Sequence, residues 1–419
     1  MRERGLGLPP CGERRTLVVE SDLPLRGIKV LDLGHAILGP TCGLVLADMG
    51  ADVIKVERAP EGDDTRRLKG FGVGFFHYFN RNKRSLALDL KQEEGKQVLR
   101  RLIQKADVLL ENFGPGTMER LGFPYEKCAE LNPGLIYCTL KGFMPGPYEK
   151  RPSLDNLVQM MGGLAYMTGP KGRPLRAGTS VIDIVGGMFG AMGIITALYE
   201  RTRTGKGQLV RATLFEATAF LVGQHMAMAA MTGEAPPPMP EGQMPWGIYD
   251  LFNTREGEMI FLGITSDQQW ERFCEIFGLA DLAGDPRLRT NNDRVRERSW
   301  LIPRLKEEVS RLSSSQIVEK SEKASIPYAP IVRPDQLLED PQLMQGGGLV
   351  ETVLPSGKKA RLPKLPLRMD DYDFGLRREP PGVGEHSVEV LEEAGFPREE
   401  IERLLQKGVV SSKQENFAA

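Results

Sequence analysis

A single carboxylate, Asp183, stands where the sequence carries most chemical information. It follows the apolar residues Val181 and Ile182, which we predict to end a buried strand, and it precedes a run of small residues and a helical pattern. A carboxylate at the start of a helix lies near the partial positive charge of free backbone N–H groups. Such a group could act as a nucleophile, but an ordinary N-cap Asp occupies the same kind of position. Position alone leaves both interpretations open.

Two further polar side chains follow predicted strands. His35 comes just after a strand predicted at residues 27–33, and Arg58 directly follows a strand predicted at residues 52–57. Open α/β sheets bind ligands at the carboxyl ends of their strands, and an Arg there can hold a phosphate through two parallel hydrogen bonds. A structural, hydrogen-bonding His and a surface Arg are the alternatives.

Two polar segments also adjoin predicted strands. Residues 80–85 (NRNKRS) contain three basic side chains, which could bind phosphate or form a solvated loop. Residues 111–116 (ENFGPG) follow another strand and form a loop before the helix that contains Arg120. The glycines after the first strand are spaced G-x4-G-x3-G, which does not match the dinucleotide-binding fingerprint. We therefore predict a parallel sheet without NAD binding.

Composition limits the classes of function. The chain has 419 residues, a net charge of −1 and 41% hydrophobic residues, so no global charge favours nucleic acid or an anionic membrane. The five cysteines and four histidines are scattered, so we expect no metal site, and the odd cysteine count without a secretory signal favours the cytoplasm. No uncharged apolar run is long enough to predict a membrane span.

The alternation of predicted strands and helices over residues 27–140 indicates an α/β fold with a parallel sheet and crossover helices. The pattern breaks near Leu221, and the proline-rich residues 235–245 precede a predicted β-hairpin and further helices. A terminal helix is predicted at residues 387–405. The expected organisation is a disordered leader at 1–22, a large domain at 23–222, a small domain at 223–334 and a return to the large domain at 335–419.

Many motifs occur together in one order. They are GIKVLDLGHAILGP, GADVIKVERAPEGDDTR, NRNKRSLALDLKQEEGK, ADVLLENFGPGTMERLGF, LNPGLIYCTLKGF, GTSVIDIVGGMFGAMGIITALYERTRTGKGQ and GEHSVEVLEEAGF. From about residue 23 to residue 409 the chain resembles the class III CoA-transferases, the superfamily of formyl-CoA transferase, carnitine CoA-transferase and α-methylacyl-CoA racemase.

The resemblance implies an interlocked homodimer. Each chain would contain a Rossmann-like large domain built from both chain ends and a smaller α+β domain, with a loop at residues 242–246 as our candidate cover for the site. It implies Asp183 as the catalytic residue and coenzyme A as co-substrate, with no metal. The positions that match CoA-contacting motifs are His35, Ala36, Leu38, Arg58, Leu88, Asn112, Phe113, Arg120 and Leu121.

The implied reaction is nucleophilic catalysis by a carboxylate. Asp183 attacks an acyl-CoA thioester and expels the CoA thiolate, which leaves a mixed anhydride. The thiolate then attacks the aspartyl carbonyl, which gives an aspartyl-CoA thioester and frees the donor acid. An incoming acid, expected to be small, for example a dicarboxylate such as succinate, then takes the CoA by the reverse steps.

Two positions depart from relatives. The racemase branch has a His before the Asp that matches Asp155, where this chain has Leu154, and a racemase needs a second base to protonate the opposite face. The formyl-CoA:oxalate enzymes have a catalytic Gln where this chain has Ile37. We therefore favour a transferase over a racemase, and over a CoA-binding protein without turnover, which the retained Asp183 disfavours.

Overall fold

The computed structural model describes residues 23–242 and 244–412. Its strands are β1 (Lys29–Asp32), β2 (Asp52–Glu57), β3 (Lys83–Leu88), β4 (Val108–Glu111), β5 (Ile136–Lys141), β6 (Leu209–Thr213), β7 (Ile248–Asn253), β8 (Met259–Ile264), β9 (Tyr328–Pro330), β10 (Leu349–Val353), β11 (Lys359–Pro363) and β12 (Val410–Ser411). The predicted leader at 1–22 lies outside the described residues.

The helices of the described residues are α1 (Leu38–Asp48), α2 (Phe75–Phe79), α3 (Glu93–Ile103), α4 (Thr117–Leu121), α5 (Tyr125–Leu131), α6 (Asp155–Met161), α7 (Leu164–Thr168), α8 (Val181–Thr204), α9 (Leu214–Leu221), α10 (Gly223–Thr232), α11 (Asp267–Phe277), α12 (Ala280–Ala283), α13 (Asn291–Arg296), α14 (Arg298–Val309), α15 (Ser314–Ala324), α16 (Pro341–Gln345), α17 (Ser387–Glu393) and α18 (Arg398–Gln406).

A seven-stranded sheet in the order β12-β3-β2-β1-β4-β5-β6 forms the centre of the larger unit. The strands β1 to β6 are parallel, and β12 pairs with β3 in the antiparallel sense. The predicted α/β class is confirmed, and β12 brings the carboxyl end of the chain into a sheet that starts near its amino end. The sheet is buried on both faces, as parallel sheets are, because the neighbours Val30 and Leu31 face two different hydrophobic clusters.

The direction of chain progression reverses at β1, which lies between β2 and β4. Ligands of open α/β sheets bind in the crevice that such a reversal leaves at the carboxyl ends of the strands. The loops that follow β1, β2, β3 and β4 therefore border this crevice. They carry most of the residues that the sequence marks as binding positions.

The chain divides into two compact units, of which the smaller is Met239–Met344. The small domain predicted at 223–334 begins and ends earlier in the sequence than this unit. Its predicted start is too early because α10 follows α9 directly at Val222 and belongs to the larger unit. The smaller unit has an antiparallel sheet in the order β7-β8-β9 with α11, α14 and α15 around a separate core, so it is α+β. The loop predicted as a cover belongs to it, and Gln243 of that loop lies outside the described residues.

Two predicted elements differ from the structure. Val181 and Ile182 do not end a strand but begin α8. The single terminal helix predicted at 387–405 is two helices, α17 and α18, because Gly395 takes a left-handed backbone with φ of 83° and Pro397 caps the second helix.

Among the described helices, α8 is long and apolar enough to cross a membrane when judged by length and composition alone. About 44% of its apolar segment is buried inside the protein, and core helices meet the same criterion. The absence of a membrane partner therefore stays a prediction.

Candidate active site

Asp183 lies in the first turn of α8 and does not cap the helix. The N-cap is Ser180, and Asp155 on α6 supplies the capping carboxylate instead. Its Oδ2 accepts hydrogen bonds from the backbone N–H groups of Ile182 at 2.9 Å and Asp183 at 3.2 Å. The capping interpretation of Asp183 is therefore wrong, because a residue distant in sequence already satisfies the helix end.

The capping carboxylate is itself held in place by Gln159, one turn later on α6. Gln159 Nε2 donates to Asp155 Oδ1 at 2.6 Å, and its Oε1 accepts from the backbone N–H of Ala177 at 2.9 Å. Both side chains are buried. Asp155 therefore has partners for both oxygens and fixes the start of α8 against α6.

No hydrogen bond reaches the Asp183 carboxylate from the part of the chain that the structure describes. Burial, followed by the smaller effect of the negative charge of Asp155, raises the pKa of Asp183 to about 7. Perturbed pKa values of this size are typical of functional carboxylates. The arrangement gives a carboxylate that is partly ionised at neutral pH and has oxygens free to react.

Close packing joins α1 to α8, the helix that carries Asp183. A Cβ atom on Gly187 would lie 2.7 Å from the carbonyl oxygen of Leu38, and one on Gly186 would lie 2.9 Å from Leu38 Cδ1. Ile184 packs on a small cluster that contains Ile37. Leu38 and Ile37 are thus buried contacts of the helix that carries Asp183.

A cavity of about 490 Å³ opens at the carboxyl ends of β1, β2 and β3. Most of the predicted CoA-contacting residues line it: His35, Ala36, Arg58, Leu88, Phe113 and Leu121. Leu38, Asn112 and Arg120 do not line it. Its volume falls in the range of small-molecule and cofactor sites.

Asn112 does not line the cavity but holds the backbone of His35, which does. Its Oδ1 accepts from the backbone N–H of His35 at 2.8 Å, and its Nδ2 donates to the His35 carbonyl at 2.9 Å. The His35 ring stacks on Phe113 with centroids 5.6 Å apart. Loss of hydration in the cavity lowers the pKa of His35, which keeps the imidazole neutral at pH 7. The pair presents a flat, largely apolar surface to the cavity.

The two predicted arginines have different surroundings. Arg58 is half-exposed at the cavity and pairs with Glu61 and Asp64, each at 3.2 Å. Arg120 donates to Thr117 Oγ1 at 2.8 Å on the short helix α4. Arg58 could exchange its exposed carboxylate partners for a phosphate group.

The basic segment 80–85 is neither a phosphate-binding loop nor solvated. Arg81 pairs with Asp48, and Arg84 binds Asp52 through two hydrogen bonds. Lys83 is fully buried against Asp32. The sequence did not predict these ion pairs or the burial of Lys55. A lysine inside the apolar strand DVIKVE nevertheless indicates a buried charge that needs a partner.

The family model for CoA-transferase family III matches residues 25–387. The chain belongs to this family. It is 33% identical over 382 residues to a succinate–glutarate CoA-transferase of Agrobacterium fabrum, covering 88% of this chain and 95% of that protein. It is 34% identical over 422 residues to a formyl-CoA:oxalate CoA-transferase of Bradyrhizobium diazoefficiens, covering 94% and 99%.

A solved structure agrees with this assignment. A CAIB/BAIF family protein from Brucella suis superposes with a TM-score of 0.81 at 33% identity, covering 89% of this chain and 100% of that one. The present protein is thus a family III CoA-transferase, an enzyme whose co-substrate is a CoA thioester. The described residues contain no cluster of His, Cys, Asp and Glu that could hold a metal ion.

Proposed function

We propose that this enzyme moves CoA from an acyl-CoA thioester to a small dicarboxylic acid through covalent intermediates on Asp183. The observation that carries the proposal is the state of that carboxylate. It is partly buried, it has no hydrogen-bond partner among the described residues, and its pKa is raised to about 7. A desolvated carboxylate without partners is a stronger nucleophile than a solvated one.

The steps balance without a metal or a redox partner. The Asp183 oxygen attacks the thioester carbon, the C–S bond breaks, and the CoA thiolate leaves a mixed anhydride. The thiolate then attacks the Asp183 carbonyl carbon, and the donor acid departs as a carboxylate. An acceptor carboxylate attacks the carbonyl carbon of the aspartyl-CoA thioester and expels the CoA thiolate, which gives a second anhydride. The thiolate then attacks the acyl carbon of the acceptor, which forms the product thioester and releases the Asp183 carboxylate.

The cavity at β1 to β3 is our proposed site for CoA. His35 and Phe113 offer an apolar stacked surface, and Arg58 offers a half-exposed guanidinium for phosphate. The backbone N–H groups of Ala36, Ile37 and Leu38 donate to no acceptor in the part of the chain that is described. Donors of this kind can stabilise the oxyanion of a tetrahedral intermediate.

The acceptor class is inferred from relatives. The names of the two curated relatives described above include succinate with glutarate, and oxalate, all of which are dicarboxylic acids. Ile37 stands where the formyl-CoA:oxalate enzymes have a catalytic Gln, and it is buried. We therefore propose an acceptor longer than oxalate, such as succinate or a homologue. The racemase alternative lacks a base at Leu154, whose side chain is exposed.

We also propose a homodimer that works in the cytoplasm. Exposed apolar side chains are concentrated on α8, α9 and α10, and contiguous patches of this kind mark protein interfaces. They include Met188, Met192, Tyr199, Phe220, Met226 and Met231. The cysteines of the described residues are free and buried, as expected in a reducing compartment.

Mass spectrometry tests the covalent route. The protein is incubated with succinyl-CoA, quenched with hydroxylamine or borohydride and digested. We expect modification confined to the peptide that contains Asp183, with none in Asp183→Ala and equal CoA binding in both proteins. Thioester consumption with and without glutarate measures turnover. An unmodified peptide, or α-proton exchange on a branched acyl-CoA instead, would contradict the proposal.

A further inference from the structure

Two buried lysines hold the ends of the segment that joins β1 to the first residues of α1, which we call the β1–α1 turn (residues 34–40). Lys55 Nζ donates to the carbonyl of Gly34 at 2.8 Å, and Lys83 Nζ donates to the carbonyl of Pro40 at 2.9 Å. Both lysine side chains are at most 1% exposed. The two lysines thus bind both ends of the turn from strands β2 and β3 of the sheet.

Each lysine is anchored by its own buried carboxylate. Asp63 Oδ2 lies 2.9 Å from Lys55 Nζ, and Asp32 Oδ2 lies 2.8 Å from Lys83 Nζ. The second oxygen of Asp32 accepts from the backbone N–H of Gly34 at 2.8 Å. Burial opposes the charge on Lys55, yet the surrounding carboxylates keep its pKa above the usual value. The Lys55 ammonium group therefore stays charged, whereas burial lowers the pKa of Lys83 against the opposing effect of Asp32.

The turn needs such restraint because its backbone is unusual. Ala36 has a φ of 60°, a left-handed conformation that residues with a side chain rarely adopt. Strained positions of this kind persist only where the surroundings over-determine them, and they cluster at functional sites. Here the anchors are Lys55 and Lys83 at the ends and Asn112 on His35 in the middle.

The turn connects the two parts of the reaction. His35 and Ala36 line the cavity, while Leu38 packs under Gly186 and Gly187 on the helix that carries Asp183. A shift of the turn would therefore move the cavity wall relative to the nucleophile. Such displacements cost rate steeply, since the reacting atoms must lie about 3–3.5 Å apart.

From this placement we propose that Lys55 and Lys83 are positioning residues for CoA transfer, which align the acyl thioester with Asp183 by fixing the β1–α1 turn. Lys55 and its partner Asp63 border the cavity, but their side chains are only 1% exposed, and Lys83 does not line it. The proposal rests on the aspartyl route described above. A buried ion pair is a poor device for stability alone, because apolar residues of similar size often hold a fold equally well.

The chain offers a matched control. Arg81 and Asp48 form another buried ion pair, with side chains 5% and 0% exposed, at the opposite end of α1. Their mutual hydrogen bonds do not involve the β1–α1 turn. Replacing this pair should perturb the core as the other pairs do, without moving the turn.

The experiment compares three charge-neutral double variants. They are Lys55→Met with Asp63→Asn, Lys83→Met with Asp32→Asn, and the control Arg81→Met with Asp48→Asn. For each we would measure kcat, KM for succinyl-CoA, the Kd of CoA and Tm, at a temperature where the protein is folded. Because the two turn pairs are separate, either variant suffices if the other does not fold.

We expect kcat to fall about 30- to 100-fold in both turn variants, while the Kd of CoA changes less than about threefold. The control should lose a similar amount of Tm but keep kcat within about threefold. Turn variants that lose no more kcat than the control, or that lose only CoA affinity, would overturn the positioning role. A wild-type protein that forms no Asp183 adduct would overturn the aspartyl route, and the positioning role with it.

Discussion

Asp183 and Asp63 are both withdrawn from water, yet their acidities lie far apart. Burial disfavours ionisation of each. Asp63 faces the Lys55 ammonium group and accepts hydrogen bonds from the backbone and side chain of Thr65, which hold its pKa at about 2. Asp183 has no such partner and has the like charge of Asp155 nearby, which leaves its pKa at about 7.

The contrast shows how one fold uses the same functional group in two ways. A carboxylate with satisfied oxygens is a fixed anchor, and one whose oxygens are free remains available for chemistry. The divergence comes from partners rather than from depth of burial. Each prediction below removes one element of this difference.

The largest effect is expected at Asp183 itself. Asp183→Asn keeps the size of the side chain but removes the nucleophile, so CoA transfer should fall by about a thousandfold or more. CoA should still bind, since the side chain does not line the cavity. Steady-state transfer to glutarate and calorimetric titration with CoA measure the two quantities. Retention of more than about a tenth of the activity would contradict the assignment.

Asp63→Ala should act on stability. It leaves the Lys55 charge buried without its carboxylate, which typically costs about 3–5 kcal/mol. Denaturant unfolding measures the loss. The matched control is Asp64→Ala, next in sequence with a side chain 80% exposed, which should change the free energy of unfolding by about 0.5 kcal/mol or less. Equal losses of unfolding free energy in both variants would mean that the buried ion pair of Asp63 stabilises the fold no more than an exposed one.

The two acids should affect stability with opposite dependence on pH. The pKa of Asp183 rises from 3.8 unfolded to about 7 folded, so the folded state loses stability as pH rises from 4 to 7. Asp183→Asn should therefore stabilise the protein at pH 8 by at most about 4 kcal/mol and have little effect near pH 4. Asp63 contributes stability above pH 4 that is lost as pH falls towards 2. Unfolding curves across pH would contradict this if Asp183→Asn stabilised equally at pH 4 and 8.

The smallest effect concerns the pH profile of transfer. The reactive form of Asp183 is ionised, so kcat/KM should fall about tenfold for each pH unit well below 7. Asp155→Asn removes the like charge but keeps an oxygen for the backbone donors at the start of α8. Its profile should move to lower pH, whereas Gln159→Glu, which adds a charge beside Asp155, should not move it downwards. A profile that stays in place would assign the raised pKa to burial alone.

How far the sequence predicts this molecule depends on how local the signal is. The first two strands of the parallel sheet are short apolar runs, and the predictions at residues 27–33 and 52–57 agree with β1 and β2 within two residues, whereas β6 was not predicted. The positions of His35, Arg58 and Phe113 followed, because residues after parallel strands share one edge of the sheet. The start of α8 was predicted wrongly, since the carboxylate that caps it belongs to Asp155, 27 residues before Ile182.

The buried lysines were missed for a related reason. Charged side chains are expected at the surface, and no pattern near Lys55 or Lys83 in the sequence indicates that Asp63 or Asp32 forms an ion pair with it. Lys83 lies 51 residues from Asp32, and only the register of the sheet brings them together. The signal that could have found Lys55 is a charge inside a strand with apolar neighbours on both sides, whereas Lys83, between Asn82 and Arg84, has no such signal. The break inside the terminal helix was readable from Gly395 and Pro397.

The burial of Asp183 has a consequence for the energetics of the proposed route. Dehydration disfavours only the negative charge, and both the anhydride and the aspartyl-CoA thioester are uncharged at that carboxyl. Acylation therefore relieves the same desolvation that raises the pKa of Asp183. The free energy of the resting enzyme, with its charged carboxylate, is therefore raised and lies closer to that of the acyl intermediates. A smaller difference in free energy between these states lets CoA be transferred between two acids in either direction, and the concentrations of the acids and their thioesters set the net direction.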